Sequence, residues 1–384
     1  MRFRDALRSP GLDAIAEIKR RSPSLGELRA DADPALLAPQ LARAGAAALS
    51  VLVDDRFGGS LDDLRAARAA TTLPVLGKGF FTQEDDLAEL KAAGADAALI
   101  LLRDVDDERA RALLQEAKRL GLDTLVEAHD ADELGRAIDL EAEIVGVNAR
   151  DLGTFAIDRR AQLELVARVP HDRVVVAESG VHTRAQGAAA ELAGADAILV
   201  GSALMQAKDP GAKLAELLSR PLVKVCGLTR DEDVAVAVDA GADLVGFILA
   251  RETPRRAPRV LDVPGTVLSV AVFVGDVDET PADLVQLYAR ENGHRARHAA
   301  LYRGDEAVAS VVDLPWLRED PLHWSHAASI DGRVMLAGGL SPENVREAIE
   351  AVRPWAVDAS SSLETAPGIK DEAKVRAFVQ AARC

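Results

Sequence analysis

The amino-acid sequence predicts an α/β fold made of two consecutive (β/α)8 (TIM) barrels, the second of them shortened. Three observations lead to this fold class. Short apolar runs alternate with segments of helical periodicity, eight such units fit into residues 1–219, and the same pattern starts again near residue 222. Eight parallel strands, each followed by a helix, are the defining pattern of the (β/α)8 barrel.

The strands of the first half are short runs of apolar and β-branched residues. Between them lie Ala-, Leu-, Arg- and Glu-rich segments, such as residues 106–121 and 183–194, which begin with polar residues and end at glycine. A doubly wound open sheet is the alternative, and the lack of a Gly-x-Gly-x-x-Gly motif disfavours it. The predicted strands are residues 14–19, 48–54, 73–78, 96–102, 123–129, 143–148, 173–179 and 196–202.

The second half repeats features of the first. "LVKVCGLTR" (222–230) has the pattern of a first strand, and "AGADLVGFILA" (240–250) is similar to "AGAAALSVLVD" (44–54). Both halves also end alike, because Gly201 follows Gly180 by 21 residues and Ser360 follows Gly339 by 21. A repeat of this kind indicates a second barrel, and we place the domains at residues 1–219 and 221–384.

The second barrel is shorter than the fold usually requires. Residues 221–384 number 164, whereas (β/α)8 barrels rarely have fewer than about 200. The deficit falls between Val274 and Val311, where two full βα units would barely fit. We therefore expect a missing or degenerate helix in or around residues 284–306.

Composition and charge restrict the class of function. The chain is 48% hydrophobic, which suits packed cores, and its formal net charge of −16 argues against nucleic acid or an anionic membrane as main partner. No apolar run reaches the roughly 18 residues of a membrane span, and the first residues lack a signal-peptide core. Cys226 and Cys384 are too few for a disulfide framework. We expect a cytoplasmic protein, with a monomer as its oligomeric state.

Polar residues stand where the apolar runs of the first half end, and the active sites of such barrels lie at the carboxyl ends of the strands. Glu17 and Lys19 are two apart, so in a strand both point to one face; a structural salt bridge is the alternative to a catalytic pair. Lysine is scarce, with nine lysines against 37 arginines, yet Lys19 and Lys78 both end strands. The other strand-end residues are Glu127, Asn148, Arg150, Glu178, Ser179 and Ser202.

The longer motifs around these residues resemble two known families. Those of the first half resemble, in order and spacing, the motifs of indole-3-glycerol-phosphate synthase: "IAEIKRRSPS", "LGKGFF", "LVEAHD", "VGVNARDLGTF", "VAESGV" and "LVGSALM". Those of the second half resemble phosphoribosylanthranilate isomerase: "VKVCGLT", "AGADLVGF", "TPRR", "VMLAGGLSPENV", "VDASSSLE" and "APGIKD". Synthase followed by isomerase resembles the fused bifunctional enzymes of tryptophan biosynthesis.

The first resemblance implies ring closure, decarboxylation and dehydration of a carboxyphenylamino-deoxyribulose 5-phosphate, with no metal or organic cofactor. It makes Lys78 the acid at the ketone and Glu127 the proton-transfer group of the dehydration. Lys19, held by Glu17, would stabilise or protonate the developing oxyanion. The residues expected to bind the rest of this substrate are Asn148, Arg150, Glu178 and Ser179.

The barrel fold itself indicates where phosphate would bind, because the loops after strands 7 and 8 often form the phosphate site. Glycine and serine are also common in ordinary turns, which is the alternative explanation. Their repetition at equal spacing in both halves favours phosphate binding. The candidates are Ser22, Gly180, Gly201 and Ser202 in the first barrel, and Gly338, Gly339, Ser360 and Ser361 in the second.

The second resemblance implies an Amadori rearrangement of N-(5-phosphoribosyl)anthranilate, which needs an acid for the ring oxygen and a base for the C2 proton. It makes Cys226 the base, although a buried cysteine is more often a small hydrophobic residue. Asp313 is the expected acid, but the glycine-rich loop that follows it in the family is absent before Trp324. Arg255 is the candidate for the anthranilate carboxylate, with Arg256 as a possible substitute.

Three hypotheses for function follow. The leading one is a bifunctional enzyme acting on small phosphorylated substrates, in which the second barrel makes the substrate of the first. The alternative is an active synthase with a degenerate, non-catalytic second barrel that only binds ligand, as the altered loop after Asp313 would suggest. A different phosphosugar barrel is the third, and the set of first-half motifs disfavours it.

Overall fold

The computed structural model describes residues 1–151, 153–251, 253–291, 294–314 and 320–383. The chain divides into two compact units, one of Met1–His182 with Gly187–Leu218 and one of Thr183–Gln186 with Ser219–Cys384. The domain boundaries at residues 219 and 221 stay a prediction. Cys384 and residues 315–319, which belong to the altered loop after Asp313, lie outside the described residues. In the described part of the chain, no helix is long and apolar enough to cross a membrane.

The first unit contains a closed barrel of eight parallel strands in the order β1-β4-β5-β6-β7-β8-β9-β10, with β10 pairing back to β1. The eight predicted strands match these within two residues at each end. The strands are β1 (Asp13–Ile18), β2 (Arg21–Ser22), β3 (Gly26–Glu27), β4 (Ala48–Leu52), β5 (Val75–Lys78), β6 (Ala97–Leu101), β7 (Asp123–Ala128), β8 (Ile144–Asn148), β9 (Val174–Glu178) and β10 (Ala197–Val200).

Helices surround this barrel because their sequences place small and branched apolar residues on one face. In the helix of residues 107–120, Ala110, Leu113 and Ala117 are buried at a spacing of three and four. The Asp106 side chain caps its first turn, and Gly121 ends it with φ 67°. The helices are α1 (Phe3–Ala6), α2 (Pro34–Arg43), α3 (Leu61–Ala70), α4 (Glu84–Ala93), α5 (Asp107–Leu120), α6 (Ala131–Asp139), α7 (Arg159–Val166), α8 (Arg184–Leu192), α9 (Ser202–Met205) and α10 (Pro210–Leu218).

The second unit also closes into a barrel of eight strands, in the order β11 to β18, which confirms the predicted fold class. The remaining elements are β11 (Leu222–Cys226), β12 (Leu244–Ile248), β13 (Leu268–Val274), β14 (Leu284–Glu291), β15 (His294–Arg303), β16 (Glu306–Val312), β17 (Val334–Leu336), β18 (Ala356–Ala359), β19 (Glu364–Ala366), β20 (Ile369–Lys370), α11 (Asp231–Ala240), α12 (His323–Ala328), α13 (Val345–Val352) and α14 (Glu372–Arg383).

The shortening of the second barrel takes the form of two hairpins. Strand β15 pairs antiparallel with both β14 and β16, whereas the other neighbouring strands of this barrel are parallel. Among the described residues no α-helix lies between β12 and α12, so the prediction of a missing helix in residues 284–306 is confirmed. Because β15 runs backwards, its first residues, not its last, lie at the end of the barrel where β14 and β16 terminate.

Candidate active sites

The carboxyl ends of the first-barrel strands surround a cavity of about 540 Å³. Every candidate residue predicted for the first barrel lines this cavity except Glu178, whose side chain is buried behind Lys78. The positions of these residues at the strand ends therefore predicted that they would lie together at one cavity. Apolar side chains complete the wall, among them Phe57, Phe80, Leu99 and Leu101.

Lys78 is the centre of the first site. Its Nζ lies 2.6 Å from Glu178 Oε2, 3.4 Å from Glu17 Oε2 and 3.7 Å from Glu127 Oε2. Lys19 Nζ lies 2.6 Å from the other oxygen of Glu17. The predicted pair at the first strand is thus part of a larger cluster, in which three carboxylates from three strands face two lysine ammonium groups.

Two glycines make room for this cluster. A Cβ atom on Gly201 would lie 2.3 Å from Glu17 Oε1, and one on Gly146 would lie 2.2 Å from Glu178 Oε1. Both distances are far shorter than any van der Waals contact, so a side chain at either position would displace a carboxylate. Gly201 was predicted only as a phosphate-binding residue, and Gly146 was not predicted at all.

The cluster shifts the pKa values of its members. Burial alone would raise the pKa of Glu17, but Lys19 and Lys78 outweigh it and lower the pKa. Burial lowers the pKa of Lys78, but the three carboxylates together raise it far above its ordinary value. Burial and the neighbouring Glu127 raise the pKa of Glu178 to about 8, despite Lys78. At neutral pH, Lys78 is therefore an ammonium ion and Glu178 holds a proton.

Glu127 is held from two further sides. Its Oε1 accepts a hydrogen bond from Asn148 Nδ2 at 3.0 Å and lies 3.1 Å from His129 Nε2. Burial opposes its ionisation, but Lys78 and His129 lower its pKa below the ordinary value. Glu127 is thus an ionised carboxylate beside a carboxyl that carries a proton.

The phosphate candidates of the first barrel lie in the loops after β9 and β10 and in the β2–β3 hairpin. Ser179 and Gly180, with φ 68° and 73°, form a tight turn after β9. A left-handed serine is strained, and such strain is commonest at ligand sites. Gly201 and Ser202 follow β10, while Ser22 lies in the β2–β3 hairpin; all line the cavity. Arg150 donates a hydrogen bond to Ser24 at 2.9 Å, which joins the loop after β8 to this hairpin.

The second site is built on a series of buried, hydrogen-bonded polar side chains that crosses the interior of the second barrel. Lys224 Nζ donates to Asp358 Oδ2 at 2.7 Å and to Gln286 Oε1 at 2.8 Å, and its side chain is fully buried. It also lies near Cys226, on the same face of β11. Burial raises the pKa of the Cys226 thiol, and Lys224 opposes this shift. Gly246 leaves room for the Cys226 thiol, since a Cβ at this position would lie 2.6 Å from Cys226 Sγ.

This series of hydrogen bonds continues to Asp313, the predicted acid. Gln286 Nε2 donates to the Tyr288 hydroxyl at 2.7 Å, and this hydroxyl donates to Asp313 Oδ2 at 2.8 Å. Arg295, near the start of the reversed strand β15, forms an ion pair with the same carboxylate oxygen and packs over the Tyr288 ring. Burial and Asp313 raise the pKa of Tyr288 well above 10, so it remains a hydrogen-bond donor.

Arg255, Ser360 and Lys370 lie close to Gly227, which follows Cys226 in the chain. Glu364 accepts from Arg255 Nε at 2.9 Å and from Lys370 Nζ at 3.0 Å, and Lys370 also donates to the Ser360 carbonyl. Ser360 Oγ is buried and has no hydrogen-bond partner among the described residues. Ser361 begins a short 3-10 helix directly after β18. Gly338, with φ 84°, and Gly339, with φ 69°, lie against Asp313 and Leu314.

Several residues of the two sites escaped the sequence argument. Lys224 had a visible signal, because it precedes Cys226 by two residues, as Glu17 precedes Lys19, and is one of only nine lysines. Four other residues gave no signal in the sequence, because their positions depend on how β14, β15 and β19 pair with other strands. They are Gln286, Tyr288, Arg295 and Glu364. His129 is part of the motif "LVEAHD", but the sequence analysis predicted no role for it. In the part of the chain that the structure describes, no group of His, Cys, Asp and Glu is arranged to hold a metal ion.

Comparison with known proteins agrees with both halves. A family model of indole-3-glycerol phosphate synthase matches residues 1–217, and one of N-(5'-phosphoribosyl)anthranilate isomerase matches residues 320–381. The indole-3-glycerol phosphate synthase of Nocardioides sp. is 50% identical over 53% of this chain and 78% of its own length. A solved phosphoribosyl anthranilate isomerase from Thermus thermophilus is 27% identical over 42% of this chain and 97% of that chain, with a TM-score of 0.34.

One group of relatives matches both halves together. The multifunctional tryptophan biosynthesis protein of Phycomyces blakesleeanus is 33% identical over 98% of this chain, and the chain spans 63% of that relative's length. The corresponding protein of Schizosaccharomyces pombe is 30% identical over 99% of this chain and 61% of the relative. The chain therefore belongs to the indole-3-glycerol phosphate synthase family and carries a second barrel of the phosphoribosylanthranilate isomerase type.

Proposed function

We propose that this protein is a bifunctional enzyme of tryptophan biosynthesis. The second barrel isomerises N-(5-phosphoribosyl)anthranilate to the carboxyphenylamino-deoxyribulose 5-phosphate. The first barrel closes this product to a ring, removes carbon dioxide and water, and releases indole-3-glycerol phosphate. The observation that carries the proposal is the Lys78 ammonium among three strand-end carboxylates in a cavity of about 540 Å³.

In the first barrel, the new carbon–carbon bond forms when an aromatic carbon attacks the ketone carbon. Lys78 is protonated at neutral pH and gives its proton to the ketone oxygen as this bond forms. Loss of carbon dioxide then returns the bonding electrons to the ring. Lys19 lies at the same mouth and stabilises negative charge on the substrate oxygens, while Glu17 fixes its position.

The dehydration needs one group that takes a proton and one that gives a proton to the leaving hydroxyl. Glu127 is ionised and suits the first task. Lys19, which lines the cavity, suits the second task, and Glu178, with a pKa raised to about 8, stands behind Lys78 and holds that lysine in place. Asn148 holds Glu127 and Arg150 lies at the cavity wall, where it attracts the anionic substrate.

In the second barrel, the ring oxygen takes a proton as the ribosyl ring opens, and the C2 proton is then removed. Cys226 is the proposed base and Asp313 the proposed acid. The Lys224 ammonium beside Cys226 stabilises a thiolate, and Tyr288 holds Asp313 in place. Glu364 orients the Arg255 guanidinium, which we assign to the anthranilate carboxylate.

We assign the substrate phosphates to the loops after the last two strands of each barrel. In the first barrel this site comprises Gly180, Gly201 and Ser202, with Ser22 added from the β2–β3 hairpin; in the second it comprises Gly338, Gly339, Ser360 and Ser361. The buried Ser360 hydroxyl without a partner in the described residues supports the second assignment. We further propose that the two domains comprise residues 1–219 and 221–384. We also propose that the protein is a monomer, which size-exclusion chromatography tests, and that it is cytoplasmic, which cell fractionation tests.

One experiment tests the proposed function. Phosphoribosylanthranilate is generated in solution, the protein is added without any cofactor, and products are followed by fluorescence and chromatography. We expect indole-3-glycerol phosphate. If only anthranilate appears, the deoxyribulose phosphate is supplied directly; turnover then shows a synthase with an inactive second barrel, and no turnover contradicts the enzyme assignment.

A further inference from the structure

His129 occupies an unusual position at the first site, directly after β7. Its side chain is only 11% exposed, and both ring nitrogens face carboxylates: Nε2 lies 3.1 Å from Glu127 Oε1 and Nδ1 lies 2.9 Å from Glu133 Oε2. The His129 backbone N–H also donates to Glu133, at 2.8 Å. Glu133 is itself fixed in the first turn of α6, where Asp130 accepts its backbone N–H.

This geometry favours a charged imidazole. A neutral histidine has one N–H and one lone pair, so one of its nitrogens would turn a lone pair towards a carboxylate. The protonated ring carries an N–H on both nitrogens: Nδ1 is within hydrogen-bond distance of Glu133, and Nε2 lies beside Glu127 as an ion pair. Burial lowers the pKa of His129, but Glu127 and Glu133 outweigh it and raise the pKa to about 10. The ring is therefore cationic across the neutral range.

His129 is one of two basic groups beside Glu127. The other is Lys78, whose Nζ lies 3.7 Å from Glu127 Oε2 and closer to Glu178 and Glu17. Without His129, Glu127 would lose the nearer of these two cations. A buried carboxylate with less compensating positive charge takes up a proton more readily.

We propose that His129 is a positioning residue of the synthase site, which keeps Glu127 ionised and holds its carboxylate in place at the cavity wall. Asn148 donates a hydrogen bond to Glu127 Oε1, and His129 Nε2 lies 3.1 Å from the same oxygen. The other oxygen, Oε2, lies 3.7 Å from Lys78 and is buried without a hydrogen-bond donor among the described residues. The inference rests on the proposed synthase activity and on the role assigned to Glu127.

The groups that act on the His129 ring come from four elements. Glu127 stands on β7 and Glu133 on α6, in direct contact with the ring. Lys78 on β5 and Glu178 on β9 lie beyond Glu127 and act on it. Loss of the His129 charge would raise the pKa of Glu127, because the cation that favours its ionised form would be gone. The acidic limb of the synthase rate profile would then move to higher pH.

The test measures the synthase pH profile with directly supplied deoxyribulose phosphate. We expect His129→Gln to lower kcat at pH 7 by at least about 10-fold, with KM changed less than about threefold, and to move the acidic limb up by about one pH unit. Glu133→Gln removes one carboxylate from the ring, so activity should be lost at a lower alkaline pH than in the unmodified protein. His171→Gln, at an exposed position, is the matched control and should match the unmodified protein.

Far-UV circular dichroism and urea titration of the same variants measure folding, because isomerase activity reports on the second barrel and His129 lies in the first. The inference is overturned if the folded His129→Gln protein keeps the kcat of the unmodified protein and the acidic limb of its synthase pH profile stays at the same pH. NMR titration of the unmodified protein gives a second test that needs no turnover: the His129 ring should stay protonated above pH 9, and titration near the ordinary pKa of about 6.5 overturns the inference. Absence of synthase turnover in the unmodified protein would instead contradict the proposed function.

Discussion

The two barrels reach the same eight-strand closure by different means, and their sites differ accordingly. In the first barrel all strands are parallel, so each polar residue at the mouth comes from a strand's carboxyl end. In the second, β15 is reversed and delivers Arg295 from its amino end. The reversed strand thus places Arg295 beside Asp313, whereas Cys226 stands at the carboxyl end of a parallel strand, as the candidates of the first barrel do.

The sites also differ in how their charges are compensated. The first site faces a cavity, and each of its three carboxyl groups lies within 3.1 Å of a basic side chain. The second places its main cation, Lys224, in the barrel interior, where it joins Asp358 to the series of hydrogen bonds that leads to Asp313. We infer that the first cluster serves mainly chemistry, whereas Lys224 serves both chemistry and stability. Four variants test this comparison.

The largest effect is expected for Lys78→Ala. It removes the proposed acid and leaves three carboxylates facing one another, so indole-3-glycerol phosphate formation should fall by about 10³-fold or more. Isomerisation should be unchanged. Both rates are measured on the same preparation, with Lys91→Ala, at an exposed position of α4, as the control. Loss of both activities in a folded protein would contradict the model of two independent sites.

Cys226→Ala should have the converse effect. Isomerisation should fall by about 10³-fold, because no other group replaces the base, while synthase turnover of directly supplied substrate is retained. In the unmodified protein the isomerase rate should increase as pH rises above neutrality, since burial raises the thiol pKa and the thiolate forms late. Cys384→Ala is the control. An isomerase rate unaffected by Cys226→Ala would exclude this residue as the base.

Lys224→Met should affect stability as well as activity. Asp358 would lose its buried partner, and breaking such a pair costs about 3 kcal/mol of unfolding free energy. Urea titration followed by tryptophan fluorescence measures this loss, because all three tryptophans lie in the second half of the chain. The exposed Arg346→Met should cost less than about 0.5 kcal/mol. Equal stability of the two variants would show that the buried pair contributes no net stability.

The smallest effect is expected for Arg295→Gln. Arg295 forms an ion pair with Asp313 Oδ2 and packs over the Tyr288 ring, so its loss should leave the Asp313 carboxylate less firmly positioned. Isomerase kcat should fall a fewfold, with synthase turnover unchanged. Arg346→Gln is the control for the loss of a positive charge. An isomerase kcat unchanged by Arg295→Gln would mean that this ion pair does not position Asp313.

The sequence was most informative about the first barrel. Its strands were predicted within two residues because apolar runs bounded by polar and glycine residues define them locally. The grouping of Glu17, Lys78 and Glu127 was predictable for the same reason, since the carboxyl ends of parallel strands always share one mouth. The shortened region was also located correctly, from length alone.

What the sequence could not supply was the direction of β15 and the partners of each charge. A strand carries the same alternation of side chains in either direction, so only its pairing with β14 and β16 decides that Arg295 meets Asp313. The His129 contacts depend on where α6 places Glu133.

By itself, then, the sequence predicted two barrels and the residues that stand where the strands of the first barrel end. These follow from periodicity and spacing, which are local properties of the chain. The tertiary structure decided that Lys78 contacts three carboxylates, that His129 is the third cation and that Lys224 joins the interior to the second site. The reason is physical: ion pairing and burial depend on distances of a few ångströms between residues far apart in sequence.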